Sequence, residues 1–511
     1  MWQIGLVALV AAPAVADEPL EAAPSKETAP QPTAELTEER SSVTRHMLVI
    51  DGVEVSYRAT AGTLILRQED GTPKASIFYV SYEREGVTDP GERPVSFAFN
   101  GGPGSSSVWL HLGVLGPRRA LMDRDGQALP PPYQLVDNPY SLLDMSDLVM
   151  IDPVTTGFSR AVPGEDEKKF HGLQGDIEVV GDFIRLWTSR QGRWASPKFL
   201  VGESYGTTRA AGLSGYLQDR HGMYLNGLVL VSSVLDFATL RFHVGNDLPY
   251  FLILPSYAAT AWYHGALESD LQELSLRSLL DEVEAFAMGD YASALLQGRR
   301  LDDDEEQVVA ARLARYTGLD VDYLVASRLR PPLARFCAEL LRERGRTVGR
   351  LDSRFLGPMN DGVAAEMDYD PSYAAILGPY TATLNDYLRR ELDYESDLPY
   401  EILTGRVYPW SFEDFEGRYV FVGERLRSAM TKNRDLKVFV ANGYYDLATP
   451  YFATEYTFDH LGLDEDLWRN VTMAYYEAGH MMYIHEASLA KMRDDLVAFY
   501  AEAVSRGEID E

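Results

Sequence analysis

One cysteine, Cys337, occurs in 511 residues, so no internal disulfide can cross-link the chain. It sits in LARFCAELLRERG, where apolar spacing is helical and a small buried residue is the simplest reading. No histidine motif stands beside it to make a catalytic thiol. Basic residues are scarce as well: 47 Lys and Arg face 77 Asp and Glu, a formal net charge of −30. Such an excess repels nucleic-acid phosphates and anionic membrane surfaces, which leaves solubility as its plain role. The acids lack calcium-ligand spacing. Asp302-Asp303-Asp304-Glu305-Glu306 precedes an apolar-periodic stretch and reads as a solvated helix start. None of the nine histidines falls in an HExxH pattern, so no metal is expected, and no motif implies a cofactor.

Long apolar runs are missing too, except at the N-terminus. Ile4 to Ala16 is apolar, and Ala14-Val15-Ala16 has the small-x-small form of a cleavage site, although no positive charge precedes it. We expect residues 1–16 to be a signal peptide and the protein to be exported, periplasmic or secreted. The other reading is a tether by an uncleaved signal. Export without disulfides suits a bacterial protein that is stable without cross-links.

Residues 17–40 are rich in Pro, Ala, Thr and Glu and carry seven acids against Lys26 and Arg40. That composition cannot bury enough apolar surface to order itself and predicts a disordered linker. From Met47 the residues alternate apolar and polar, with turn signals at Asp51-Gly52, Ala61-Gly62 and Asp70-Gly71, which predicts an antiparallel meander. Short apolar strands at 95–99, 148–152, 198–201 and 227–231 then alternate with helical patterns at 176–190 and 208–218. This order implies a mostly parallel sheet covered on both faces. Strand signals stop over residues 240–434, where helical periodicity dominates, and return at 437–441 and 471–476 before a last helix at 487–503. The expected architecture has a core over 41–239 and 435–511. A large helical cap would be inserted between the two parts.

Three separated segments carry chemistry. GESYG (Gly202 to Gly206) places Ser204 between two glycines, after the strand and before a helix. A serine hydroxyl needs a base to become a nucleophile, and a sharp strand-to-helix turn exposes it. NGYYDLATP supplies Asp446 just past a strand, and EAGHMM supplies His480 after the next one. Acids in turns often have only a local role; the order Ser, Asp, His is what favours an α/β-hydrolase triad. FNGGPGSSS (Phe99 to Ser107) ends an earlier strand on glycines. Its loop fits one oxyanion donor, and the backbone N–H of Tyr205 fits the other.

Together these segments resemble the serine carboxypeptidase family, in its bacterial branch, within the α/β-hydrolases. LGVLGPRRA, NPYSLLDMSDLVMIDPVTTGFSRA and SSVLDF are similar to that family's connecting segments. The resemblance implies Ser204, Asp446 and His480 as catalytic residues and the N–H groups of Gly102 and Tyr205 as the oxyanion hole. It implies Asn100, Gly101 and Glu203 as binders of the substrate's C-terminal carboxylate. Two like charges in contact repel, so Glu203 must share a proton, and acidic pH should favour peptidase activity. Met481 either touches the leaving residue, by analogy, or is an ordinary core methionine. The chain departs from the family pattern at Ala98, where a tryptophan is frequent, and at Val114, where a second carboxylate-binding glutamate is frequent. It departs also at Ser105, in place of a cysteine, and at Thr207, in place of a glycine.

The expected function is that of a serine-type carboxypeptidase acting on peptide or protein C-termini through an acyl-enzyme. Ala98 and Val114 motivate an alternative, an esterase or acyltransferase on the same triad. A non-catalytic binding protein is the third class, and no triad residue is missing to support it.

Overall fold

The computed structural model describes residues 36–505. The expected signal segment and most of the expected linker lie outside the described residues. The linker's last residues, 36–40, do not continue as linker. Leu36 is buried, Glu39 accepts a hydrogen bond from Ile65 N and pairs with Arg190, and the Arg40 carbonyl accepts from Thr63 N. An apolar anchor and matched polar partners dock this stretch.

The meander forms as β1 (Ser41–Ile50), β2 (Val53–Arg67) and β3 (Pro73–Arg84), joined antiparallel. Asp51-Gly52 and Asp70-Gly71 are turns. Ala61-Gly62 is not: β2 runs through it, with Gly62 paired to Ser41 on one side and Tyr79 on the other. A Cβ at Gly62 would meet the Arg40 carbonyl at 2.6 Å. That glycine therefore serves a close backbone approach, a use that resembles a turn signal in sequence.

The parallel part follows as β4 (Val95–Phe99), β5 (Asp147–Ile151), β6 (Lys198–Glu203), β7 (Gly227–Val231), β8 (Lys437–Gly443) and β9 (Val471–Tyr476). The sheet order is β1-β2-β3-β5-β4-β6-β7-β8-β9. Every neighbouring pair from β5 to β9 is parallel. Successive side chains point to opposite faces. Phe199 and Val201 enter one apolar cluster while Leu200 enters another; Val229 and Val231 are divided from Leu228 and Leu230 in the same way. Burial on both faces explains why these strands read as continuous apolar runs. The cluster with Leu200 is completed by α1 (Leu173–Arg190) and α2 (Tyr205–His221).

The residues between β7 and β8 are not one helical body. Helices α3 (Leu248–Tyr263), α4 (Leu276–Phe286), α5 (Asp303–Thr317) and α6 (Leu333–Glu339) share a separate apolar cluster, which includes Cys337. α7 (Pro371–Arg390) instead contributes Ile376, Leu384 and Leu388 to the sheet cluster that holds the meander residues Tyr57 and Tyr82. α8 (Gly423–Lys432) sends Leu426 and Met430 to the cluster of α1 and α2. Periodicity marks a helix but not the surface it will cover, so the single cap expected over 240–434 is divided. At the start of α5 the Asp302 carboxylate accepts from Glu305 N at 2.8 Å and four acids fill the first turn. Helix α9 (Tyr451–Asp459) follows β8, and α10 (Glu486–Val504) ends the fold.

Candidate active site

Ser204 is the hinge between β6 and α2, with φ 59° and ψ −128°. A non-glycine residue in that region is strained, and such strain concentrates at functional sites. The turn closes because its glycines leave no room for side chains: a Cβ on Gly206 would meet the Phe99 carbonyl at 2.7 Å. Ser204 N donates to Val231 O at 2.9 Å. Thr207, a departure from the family pattern, braces the turn. Its Oγ1 donates to Ser204 O at 2.7 Å and accepts from Val234 N at 2.9 Å. The Ser204 hydroxyl is partly exposed and has no hydrogen-bond partner among the described residues. Nucleophile–base hydrogen bonds are often long before substrate tightens the site.

Asp446 and His480 extend from the carboxyl ends of the neighbouring strands β8 and β9. The His480 Nδ1 donates to Asp446 Oδ2 at 2.7 Å. Asp446 is wholly buried, and its lone pairs are filled. Oδ1 accepts from Ala448 N at 2.8 Å and Thr449 N at 2.9 Å, and Oδ2 also accepts from Thr449 Oγ1 at 2.7 Å. Burial works to lower the His480 pKa, but the charge and hydrogen bond of Asp446, with Glu203 adding, outweigh it and hold the pKa above the ordinary value. Ser232, next after β7, donates its Oγ to His480 O at 2.7 Å. The loops after β6, β7 and β9 are thus joined, with Val231 on one side holding Ser204 and Ser232 on the other holding His480.

The loop Asn100–Gly102 follows β4 and lies against this turn. A Cβ on Gly101 would collide with Tyr205 N and meet Glu203 O at 2.7 Å. The N–H groups of Gly101 and Gly102 make no hydrogen bond among the described residues. Tyr205 is the first residue of α2, where a backbone N–H has no partner inside the helix. Three N–H groups without a hydrogen bond among the described residues therefore lie close together. Asn100 is 1% exposed; its Oδ1 accepts from Leu110 N at 3.1 Å, while its Nδ2 is buried near Glu203 and Tyr483 without a hydrogen bond of good geometry. Its carbonyl accepts from Arg209 Nη1 at 2.6 Å. Arg209 is 1% exposed, is paired with Asp176 at 2.8 Å, and lies over the rings of Phe99 and Tyr205. Because C=O and N–H of a trans peptide point oppositely, this grip turns the Gly101 N–H away from the helix.

Glu203 ends β6 and is buried. Burial pushes its pKa up to about 7, against the pull of His480 and of the Tyr483 hydroxyl. Tyr483 donates to Glu203 Oε2. Met481 is 4% exposed within the large apolar cluster, the surroundings of a core methionine. Val114 is buried, and no carboxyl stands in its place; its carbonyl accepts from Asn138 Nδ2 at 2.8 Å. Ala98 points into the sheet core, and Ser105 Oγ accepts from Trp109 Nε1 at 2.9 Å. Sequence reasoning missed Thr449, Tyr483 and Arg209. Thr449 had a signal, a hydroxyl three residues after a turn acid. Arg209 had one also, a lone charge on an otherwise apolar and small helix face.

The strand order, the strained turn after β6 and the loops after β8 and β9 define an α/β-hydrolase fold. A solved structure bears this out: Kex1(Δ)p, a prohormone-processing carboxypeptidase from Saccharomyces cerevisiae, is 17% identical, aligns over 87% of this chain and 91% of its own, and gives a TM-score of 0.53. Residues 54–253 match the family model described as serine carboxypeptidase. Serine-type carboxypeptidase F of Aspergillus niger is 29% identical over 143 residues, 27% of this chain and 23% of that protein. The lysosomal protective protein of Mus musculus is 23% identical over 428 residues, 79% of this chain and 80% of that protein. The chain spans about a quarter of the length of the fungal relative and four fifths of the mouse one. Over residues 54–253 the chain is thus similar to the serine carboxypeptidases. The family model covers the Asn100 loop and Ser204, while Asp446 and His480 lie beyond it.

Proposed function

We propose that this chain is a serine-type carboxypeptidase. Ser204 attacks the carbonyl of the last peptide bond, and its proton passes to Nε2 of His480. The imidazolium then protonates the leaving amine, and water, deprotonated by the same ring, releases the acyl group from Ser204. Asp446 fixes the ring with Nδ1–H toward itself and stabilises the imidazolium. The N–H groups of Gly102 and Tyr205 receive the oxyanion, an interaction worth about 2.7–4 kcal/mol per donor. Asn100, Gly101 and Glu203 receive the substrate carboxylate.

The observation that carries this reading is the Asp446–His480 hydrogen bond at 2.7 Å, standing at the strand ends beside a serine held at φ 59°. The Nδ2 of Asn100, buried without a hydrogen bond of good geometry, and a Glu203 that stays protonated to about pH 7 support carboxylate recognition favoured at acidic pH. Export, read from residues 1–16, accompanies this proposal. Turnover of blocked dipeptides by the purified protein should vanish on Ser204→Ala; unchanged turnover would sink the proposal. Val114 favours a second reading, an esterase or acyltransferase with weak carboxylate recognition. Equal rates on a dipeptide acid and its C-terminal amide would select that reading.

A further inference from the structure

The turn formed by residues 350–354 belongs to the segment between β7 and β8 and carries no motif, yet it runs between the loops of Asp446 and His480. Leu447 N donates to Arg350 O at 3.1 Å, and Ser353 N donates to Tyr445 O at 3.0 Å. Those two bonds grip the residues on either side of Asp446. His480 N donates to Leu351 O at 2.6 Å, and Gly479 N donates to Asp352 Oδ2 at 3.0 Å. Those two grip the base and the residue before it.

Asp352 is 1% exposed, and a carboxylate so buried needs a counter-charge. Arg354 provides it as a two-pronged pair, Nε to Oδ1 at 2.9 Å and Nη2 to Oδ2 at 2.6 Å. Behind the turn, Ser372 Oγ at the start of α7 accepts from Leu351 N at 3.1 Å and Asp352 N at 3.2 Å. The contact is too close for any side chain on the His480 loop: a Cβ on Gly479 would meet Asp352 Cα and Cβ and the Leu351 carbonyl, each at 2.5 Å. Among the described residues β9 is the last strand of the sheet, with β8 as its strand neighbour. Its loop lacks the lateral support that Ser204 receives from both sides.

We infer that Asp352 is a positioning residue for His480. Neutralised by Arg354, its carboxylate fixes the Gly479 N–H and with it the imidazole against Asp446 and over Ser204. The inference rests on the hydrolase reading. It assigns the segment between β7 and β8 a share in building the catalytic geometry, apart from any role in covering the substrate.

The test compares the native chain with Asp352→Ala and Asp352→Asn, using the rate of fluorophosphonate labelling at Ser204 and the kcat and KM of peptide turnover. Displacing a base by about 1 Å costs about 10- to 100-fold in rate, so Asp352→Ala should lower labelling and kcat by that factor and leave KM within about twofold. Asparagine keeps an acceptor oxygen for Gly479 N, and part of the rate should return. Folded Asp352→Ala that labels at the native rate, or that changes KM rather than kcat, overturns the inference. If Asp352→Ala does not fold, Ser372→Ala is read in the same way: a lowered kcat at constant KM supports the clamp, and a native kcat overturns it. A native chain that takes no label brings down the hydrolase reading itself, an outcome distinct from failure of the clamp alone.

Discussion

The two halves of the candidate site differ in what holds them. On the nucleophile side, position is set by steric closure. Gly101 and Gly206 let the loop after β4 and the turn after β6 pass in direct backbone contact, and β6 has a strand on each side. On the base side, Gly479 is closed against the turn at Asp352 in the same way, and position depends in addition on polar contacts drawn from elsewhere in the chain: Thr449 on Asp446, Ser232 on the His480 carbonyl, and Asp352 on the Gly479 N–H. Steric closure tolerates no added atoms, whereas the added polar contacts of the base side weaken by degrees as single partners are removed.

Substitutions can break or sharpen this contrast. The largest effect should come from Arg209→Met, which leaves Asp176 as a buried charge without its partner; a loss of about 3–5 kcal/mol in urea unfolding is expected, partly restored by adding Asp176→Leu. Gly101→Ala should follow. Its methyl collides with Tyr205 N, and displacement of one oxyanion donor corresponds to about 2.7–4 kcal/mol of barrier, read as a collapse of kcat in a folded protein. On the base side Thr449→Ala removes the hydroxyl that donates to Asp446 Oδ2 and lies 3.1 Å from His480 Nδ1; the bond to the carboxylate is worth about 1.5 kcal/mol, so kcat should fall only about tenfold at nearly constant KM. If Thr449→Ala were as damaging as Gly101→Ala, the contrast would be lost.

The smallest effect concerns pH. In the proposed role Glu203 would bind a carboxylate best when protonated, and burial pushes its pKa up to about 7. KM for a peptide with a free C-terminus should therefore rise as pH climbs past that value, while KM for the corresponding amide stays level. Glu203→Gln is neutral at every pH and should flatten the rise. As the proposed base, His480 would work only when neutral, and its pKa is raised, so kcat should fall toward acid in both proteins.

Much of the sheet is legible in sequence because burial on both faces writes continuous apolar runs, and the turn around Ser204 is legible because its glycines are local. Gly62 misleads because a residue chosen for close backbone approach has the same letter as one chosen for a turn. α7 and α8 are legible as helices, yet nothing in their spacing says that Leu384 and Leu426 serve opposite faces of the sheet. The supports of His480 are hidden for a related reason: Asp352 and Gly479 stand 127 positions apart, and a hydrogen bond at that separation leaves no periodic trace.

Ser204 holds a backbone shape that suits glycine better than any residue with a Cβ. Exchange of this one residue for glycine should therefore yield a sturdier molecule that does nothing. The chain keeps the less comfortable choice, and the glycine variant should melt at a higher temperature than the native chain.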